Sequence, residues 1–349
     1  MAGRFDPRTP PPTPPTRTTV RGGHLPLPAH TGPAPRPTPA RTRSWPPPAP
    51  LDLGLTLGPL RRGPGDPTFR VTPDGSVWRA SRTPQGPGTL RVSLRRGTAE
   101  HGTVEAEAWG PGADWLLETL PVLLGAEDDP AAFVPRHRLV HASHRRRPGL
   151  RLVRTGLVLE SLIPVVLEQK VTSDEAYRGW RRLVTGHGEP APGPGPGGGA
   201  PELYVVPDPA GWLRIASWDW HRAGVDGKRS ATILRAARVA ARMEEAAGMA
   251  PAEAAARLEL VPGVGPWTSA ETVQRSHGAP DAVTTGDLHL PGIIGHALAG
   301  EREADDARML ELLAPYAGQR HRAARLILLA GATPARRAPR MPRTDIARY

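Results

Sequence analysis

The chain has 349 residues, enough for two domains with their own hydrophobic cores. It contains no cysteine, which excludes disulfides, thiolate zinc sites and cysteine-ligated iron–sulfur clusters. Lys and Arg number 45 against 34 Asp and Glu, and the formal net charge of +11 favours a polyanionic partner, either a nucleic acid or a membrane surface.

Membrane insertion and secretion are not expected. No run of about twenty apolar residues, the length that spans a bilayer, occurs in the chain. The N-terminus lacks the apolar stretch of a signal peptide. We therefore expect a cytoplasmic protein, associated with the nucleoid if its partner is DNA.

The two ends of the chain are predicted to be unstructured. Residues 1–48 are dominated by Pro, Thr, Arg and Gly, and such a segment buries too little apolar surface to fold. Residues 333–349 form a second basic, Pro-rich tail. The arginines of both tails could add nonspecific contacts to phosphates.

Residues 49–135 are predicted to form a small antiparallel sheet with one helix. Two stretches, 51–60 and 89–97, alternate apolar and polar residues with the period of a strand. FRVTP and TVEAEAWG indicate further strands, and the Pro-Asp-Gly sequence at 73–75 fits a turn between them. Residues 113–125 read as a single amphipathic helix.

Residues 136–332 are predicted to be helical after a basic linker at 136–151. A break near Val171 and Thr172 separates two helices, because Thr172 or Ser173 can cap the second one. Residues 189–202 are rich in Pro and Gly and are predicted to form a disordered surface loop. Helical periodicity resumes after this loop.

A short turn, Pro262-Gly263-Val264-Gly265, lies between two predicted helices. Glycine suits a backbone with positive φ or a close approach, and Pro266 suits the first turn of a helix. Free amide groups at a helix N-terminus can bind an anion. No lysine follows, so the turn is not a nucleotide-binding P-loop. It is either a phosphate-binding element or a simple helix-turn-helix.

This turn and the residues after it resemble a known family. VPGVGPWTSA, followed by TTGD, resembles the hairpin and catalytic-acid region of helix-hairpin-helix DNA glycosylases, with the 3-methyladenine type most similar. The resemblance extends over about residues 51–332. It implies an α+β fold in which a small antiparallel sheet domain precedes an all-helical glycosylase domain.

The resemblance also implies how the protein would bind its partner, double-stranded DNA with damaged bases. The hairpin would grip the backbone through its amide groups, and the turn after the first helix of the domain would place a side chain in the gap left by a flipped base. A monovalent cation, Na⁺ or K⁺, could sit at the carbonyls of Leu260, Pro262 and Gly265. The implied DNA-contacting residues are Gln169, Lys170, Val171, Pro262, Gly263, Val264, Gly265 and Thr268.

Asp287 is the candidate catalytic residue. Breaking an N-glycosidic bond builds positive charge on the sugar, and a carboxylate beside the sugar can stabilise that charge and orient a water. An alkylated purine is a good leaving group, so one acid can suffice. Alternatively, Asp287 is only the N-cap of the next helix, since aspartate favours that position. One residue could serve both roles.

Three side chains are candidates for the base pocket. Trp267 stands where the resemblance places a lysine in enzymes that also cut the strand, and tryptophan cannot form a Schiff base. Glu271 stands where the family carries a pocket aromatic, and it would either attract a cationic base or face solvent. Trp218 belongs to the pocket or to the core. Packing behind the hairpin is the alternative for Trp267.

These residues favour a monofunctional glycosylase, acting as a monomer without cofactor or catalytic metal. His277 and His289 lack the spacing of metal ligands. Arg320, His321 and Arg322 resemble a basic stretch near the family's active site, but a solvated helix face is the preferred interpretation. Two alternatives remain: a noncatalytic damage sensor with the same hairpin, and an unrelated helical scaffold whose basic tails bind nucleic acid.

Overall fold

The computed structural model describes residues 39–97, 99–195 and 198–332. Residues 1–38 of the tail predicted at 1–48, the predicted tail at 333–349, and residues 196–197 of the predicted loop lie outside the described residues. Within the described part, an antiparallel sheet domain precedes a domain built from helices. The predicted α+β class is confirmed.

The sheet has five antiparallel strands in the order β1-β5-β4-β3-β2. The predicted Pro-Asp-Gly turn connects β2 to β3, with the amide of Gly75 donating to the carbonyl of Thr72 at 2.9 Å. Side chains alternate between the faces of each strand, as the period-two pattern requires. The strands are β1 (Arg41–Trp45), β2 (Phe69–Val71), β3 (Val77–Thr83), β4 (Gly86–Arg95) and β5 (Thr103–Trp109).

Two sequence predictions for this domain are wrong. Residues 51–60 form helix α1 (Leu53–Leu57) and a 3-10 turn rather than a strand, because the carboxylate of Asp52 caps the helix at the amide of Leu55. Leu53 and Leu57, four positions apart, then bury the same helix face. Strand β1 lies inside the segment predicted to be a disordered tail, where its backbone pairs with β5.

Both faces of the sheet are covered. Helices α2 (Ala113–Glu118) and α3 (Leu120–Leu123) pack on one face; the predicted single helix is interrupted at Thr119, ahead of Pro121. The other face carries Trp78 and Trp109, whose rings stack 5.3 Å apart.

Part of the loop predicted at 189–202 forms a strand instead. The strands β6 (Glu189–Pro190) and β7 (Tyr204–Val205) pair with each other, and residues around them cover this face.

The predicted linker at 136–151 contains a helix, α4 (Arg138–Arg145), so that prediction is wrong. The sequence does not reveal this helix because most of its residues are polar or basic and its buried face is short, with Val140 and Ser143 buried. The hydroxyl of Ser143 donates to the carbonyl of Leu326 at 2.6 Å, which fixes α4 against the last helix of the domain.

The rest of the domain is helical, as predicted. Helix α5 lies at its centre, with nine of its eleven residues buried, and a helix that is apolar all round must be enclosed by others. The helices are α5 (Val158–Glu168), α6 (Ser173–His187), α7 (Pro209–Arg214), α8 (Ser217–Arg222), α9 (Gly227–Arg238), α10 (Ala240–Glu244), α11 (Pro251–Glu259), α12 (Pro266–Ser276), α13 (Leu290–Ala299), α14 (Asp306–Leu313) and α15 (Arg320–Ala330).

Buried polar contacts join the two domains. The guanidinium of Arg79 on β3 lies 2.6 Å from the carboxylate of Glu160 on α5, and both side chains are about one-tenth exposed. The indole of Trp180 donates to the carboxylate of Asp66 at 3.0 Å. No helix in the described part is long and apolar enough to cross a membrane.

Candidate functional site

The hairpin joins α11 to α12 through residues 260–265. Gly263 has φ +101°, which explains glycine there, and Pro266 occupies the first helical turn. Val261 and Val264 are buried and anchor the turn to the core. Within the described residues, the amide groups of Gly263 and Gly265 donate to no backbone carbonyl. The hairpin therefore presents free N–H groups at a helix N-terminus, which suits an anion.

Helix α9 supports the hairpin from behind. A Cβ atom at Gly263 would collide with the hydroxyl of Thr232, so only glycine allows this approach. One turn further along α9, Arg235 donates to the carbonyl of Pro262 at 3.2 Å. Neither α9 residue was recognised in the sequence, because Thr232 and Arg235 form no motif with the turn 30 residues downstream.

The turn between α5 and α6 is also bound to the hairpin. The side-chain amide of Gln169 donates to the carbonyl of Gly263 at 3.0 Å and to the hydroxyl of Thr268 at 2.7 Å. Gln169 and the buried Thr268 thus connect two elements, rather than presenting free side chains. Lys170 follows with φ +57°, a backbone conformation that is uncommon for residues other than glycine, and its side chain is exposed.

Three hydrogen bonds fix the carboxylate of Asp287. One oxygen accepts the amides of His289 and Leu290, each at 2.8 Å, at the start of α13. The other accepts the indole N–H of Trp267 at 3.0 Å. Asp287 therefore binds the first amides of α13, although the N-cap position itself is His289, and the indole of α12 holds it beside the hairpin. The residue as a whole is half-buried.

Asp287 lines a cavity of about 260 Å³. This volume is slightly below the roughly 300–1,000 Å³ of sites for drug-sized ligands, and it suits a smaller group such as a single base. Its apolar wall comes from α13 and α15. The lining side chains include Val283, Leu290, Ile293, Ala324 and Leu328, together with the polar Glu271, Gln274, Thr284, His289, His321 and Arg325.

Glu271 lies in this cavity, but its charge is compensated. One carboxylate oxygen accepts Arg275 and the other accepts the hydroxyl of Thr284, both at 2.7 Å. Burial would raise the pKa of Glu271, yet the charge of Arg275 and these hydrogen bonds hold that pKa below its usual value. Glu271 is therefore ionised and paired within the protein.

Sequence comparisons identify no relative: no family model and no curated protein matches the chain. Solved structures do match its fold. A 3-methyladenine DNA glycosylase from Archaeoglobus fulgidus superposes with a TM-score of 0.65 at 17% identity, over 83% of this chain and 98% of that one.

Two further structures agree. An 8-oxoguanine glycosylase/lyase from Clostridium acetobutylicum, in its apo form, has a TM-score of 0.63 at 10% identity, over 84% of this chain and 98% of that one. MBOgg1 in complex with a low-affinity DNA ligand has a TM-score of 0.63 at 16% identity, over 81% and 92%. The chain has the fold of the helix-hairpin-helix DNA glycosylases.

In this helix-hairpin-helix fold, the structure brings most of the predicted residues together. Trp267 and Asp287 are hydrogen-bonded, Glu271 lines the cavity of Asp287, and Gln169 contacts the hairpin. Trp218 is not brought to the site: it lies on α8, is 63% exposed and does not line the cavity. Its neighbour Trp220 is the one that belongs to the core.

The basic stretch at 320–322 differs from the predicted solvated face. Arg320 pairs with Asp281, and Arg322 is only 2% exposed and pairs with Asp128. His321 lines the cavity. The sequence carried a signal for this arrangement. Residues 321, 324, 325 and 328 share one face of a helix, and all four line the cavity.

Two of the carbonyls predicted to hold a monovalent cation already accept hydrogen bonds. The carbonyl of Pro262 accepts the guanidinium of Arg235, and the carbonyl of Gly265 accepts the amide of Ser269 at 2.9 Å. A guanidinium beside Pro262 would repel a second cation. The guanidinium of Arg235 therefore disfavours a Na⁺ or K⁺ shared by the predicted carbonyls.

Proposed function

We propose that the protein is a monofunctional DNA glycosylase. It flips a damaged base, an alkylated purine such as 3-methyladenine, out of double-stranded DNA and removes it by hydrolysis, as a monomer without a cofactor. The observation that carries the proposal is the placement of Asp287, whose oriented carboxylate lies both beside the hairpin and in a base-sized cavity.

The hairpin would hold the DNA. Its free amide groups and the N-terminus of α12 bind a backbone phosphate without reading sequence. The structure of MBOgg1 with its DNA ligand supports DNA as the partner of this fold. Lys170, on its strained and exposed turn, would enter the gap left by the flipped base or contact a phosphate.

The chemical step uses the carboxylate of Asp287. The C1′–N bond breaks and its electron pair leaves with the base, so positive charge develops on the deoxyribose. The carboxylate stabilises this charge and accepts a proton from the water that adds to C1′. Removal of one such preorganised electrostatic partner typically slows catalysis about 10²- to 10³-fold.

Strand cleavage is not expected. Trp267 occupies the position at which the resemblance places the lysine of glycosylase/lyases. Its indole has no nucleophilic lone pair and is engaged with Asp287. The product would be an abasic site in an intact strand.

Methylated DNA provides the test. Free bases released by the wild-type protein and by Asp287→Asn are separated by chromatography, and the strands are analysed without alkali. We expect release by wild type, intact strands, and at least a 100-fold slower reaction with Asp287→Asn, which still binds abasic-site DNA. Equal release by both proteins contradicts the role of Asp287. Binding without release by wild type identifies a damage sensor instead.

A further inference from the structure

One face of α15 carries two polar side chains into the cavity of Asp287. His321 and Arg325 lie one helical turn apart, and both line that cavity together with Ala324 and Leu328. Residues four apart on a helix are neighbours, with Cβ atoms about 5–6 Å apart. A group bound beside Asp287 would therefore meet both side chains.

Arg325 differs from the other arginines of its helix. Arg320 and Arg322 pair with Asp281 and Asp128, whereas Arg325 has no carboxylate within ion-pair distance among the described residues. Its hydrogen bond in the structure goes to the carbonyl of Leu55 at 2.6 Å and leaves other N–H groups free. A half-buried charge without a partner is unfavourable, so Arg325 is suited to a ligand that supplies an acceptor.

The surroundings of Arg325 and His321 determine whether each side chain is charged. Burial, together with Arg275 and Arg322, lowers the pKa of Arg325 to about 10, so it remains protonated at neutral pH. Burial and the charges of Arg325, Arg275 and Arg322 hold the pKa of His321 well below 6.5. The imidazole is therefore neutral and offers one donor and one acceptor. Its side chain makes no hydrogen bond within the described residues.

We propose that Arg325 and His321 recognise a carbonyl group and its neighbouring N–H on the flipped base. The cavity would then prefer damaged purines of the oxo type, derived from guanine or hypoxanthine, to those derived from adenine. This inference rests on the proposed glycosylase function and adds a specificity to it.

The preference follows from the N–H groups of Arg325 that have no partner in the described part of the chain and therefore favour an acceptor on the base. Arginine only donates, and both oxygens of Glu271 are already occupied by Arg275 and Thr284. The C6 carbonyl of an oxopurine accepts from Arg325, and its N1–H can donate to His321. An adenine derivative has an amino group at C6, and the ring nitrogens of its alkylated, cationic form are poor acceptors for a guanidinium.

Methylated DNA again supplies the substrates, because it contains both 7-methylguanine and 3-methyladenine. Both are cationic, and they differ at the C6 group, at C2 and in the position of the methyl group, so each variant is compared with wild type by the change in the ratio of the two released bases. We expect Arg325→Met to lower the ratio of released 7-methylguanine to 3-methyladenine by roughly 10-fold or more, the effect of losing a hydrogen bond to a charged group. His321→Phe should lower it in the same direction, and His321→Gln, which keeps a donor and an acceptor, should restore part of it.

Arg320→Met is the matched control, because Arg320 lies on the same helix, pairs with Asp281 and does not line the cavity. Its product ratio should equal that of wild type. A ratio unchanged in Arg325→Met, with both bases still released, overturns the specificity but leaves the glycosylase function intact. No release of either base by wild type overturns both. Because the readout is a ratio within one reaction, a partial loss of folded protein does not mimic the effect.

Discussion

At the scale of single residues, the contacts of Asp287 allow both roles that the sequence presented as alternatives. One oxygen accepts two amides at the start of α13, and the second oxygen accepts the indole of Trp267. Each oxygen of a carboxylate has two lone-pair positions, so these three bonds leave capacity for a water. The contacts with the helix therefore orient the carboxylate and still allow the catalytic role proposed for it.

Trp267→Phe tests whether the indole positions the acid. The phenyl ring fills similar space but cannot donate to Asp287, and the loss of a hydrogen bond to a charged group corresponds to about a 10-fold lower rate of base release. We expect this loss in the single-turnover rate constant of base release from methylated DNA, with little change in DNA affinity.

The control for this experiment is Trp218→Phe. Trp218 is exposed on α8 and does not line the cavity, so its replacement should leave the rate at the wild-type value. A normal rate for Trp267→Phe would show that the backbone cap alone orients Asp287. A lower affinity for DNA at normal rate would assign Trp267 to the hairpin instead.

Single-residue roles were only partly predictable from the sequence. Asp287, Trp267 and Glu271 were chosen from a local motif, and their local spacing does bring them to one place. Whether Glu271 was free could not be predicted, because Thr284 reaches it from the loop after α12. No residue near Trp218 in the sequence indicates which side of α8 packs against the core.

At the scale of elements, the hairpin is held between α9 and the α5–α6 turn. Gly263 touches Thr232 on one side, and its carbonyl accepts Gln169 on the other. Gly263→Ala adds a Cβ that collides with the Thr232 hydroxyl at a residue with φ +101°. Strained backbone of this kind costs about 1–3 kcal/mol. We expect a matching loss in the free energy of unfolding, measured by urea denaturation.

Two variants make this prediction specific. Gly265→Ala adds a Cβ with no atom nearby and no positive φ, so its stability should remain close to wild type. Thr232→Ala removes the hydroxyl that Gly263→Ala would hit, so the double variant should lose less stability than the sum of the single losses. Additive losses would mean that the two elements do not touch.

The helices and strands that were predicted wrongly show which structural information the sequence does not contain. β2, β4, β5 and most helices of the second domain carry a clear period, and the sequence predicts them. Residues 51–57 have leucines at every second position, but Leu53 and Leu57 also suit a helix, and the cap at Asp52 decides between the two. β1 and α4 have little apolar pattern. Each is stabilised by a partner distant in the sequence, β5 for β1 and α15 for α4.

At the scale of the whole molecule, the two domains share buried polar contacts. Glu160 accepts Arg79 at 2.6 Å and the amide of Arg82 at 2.9 Å, all across the domain interface. Arg62 pairs with Glu168 at 2.8 Å on the same helix, α5. Since α5 is also the centre of the helical core, loosening the interface should affect both domains.

Glu160→Gln tests this coupling. The substitution keeps the side-chain shape but leaves Arg79, which is 8% exposed, without its counter-charge. Breaking a buried ion pair in this way costs about 3–5 kcal/mol. We expect the domains to melt together, so calorimetry should show a single transition that moves as a whole to lower temperature. The exposed pair of Arg308 and Glu311 provides the control: Glu311→Gln should leave the transition temperature close to that of wild type, because water screens an exposed ion pair. A second transition in Glu160→Gln, with the helical domain melting at the wild-type temperature, would show that the sheet domain docks without stabilising the site.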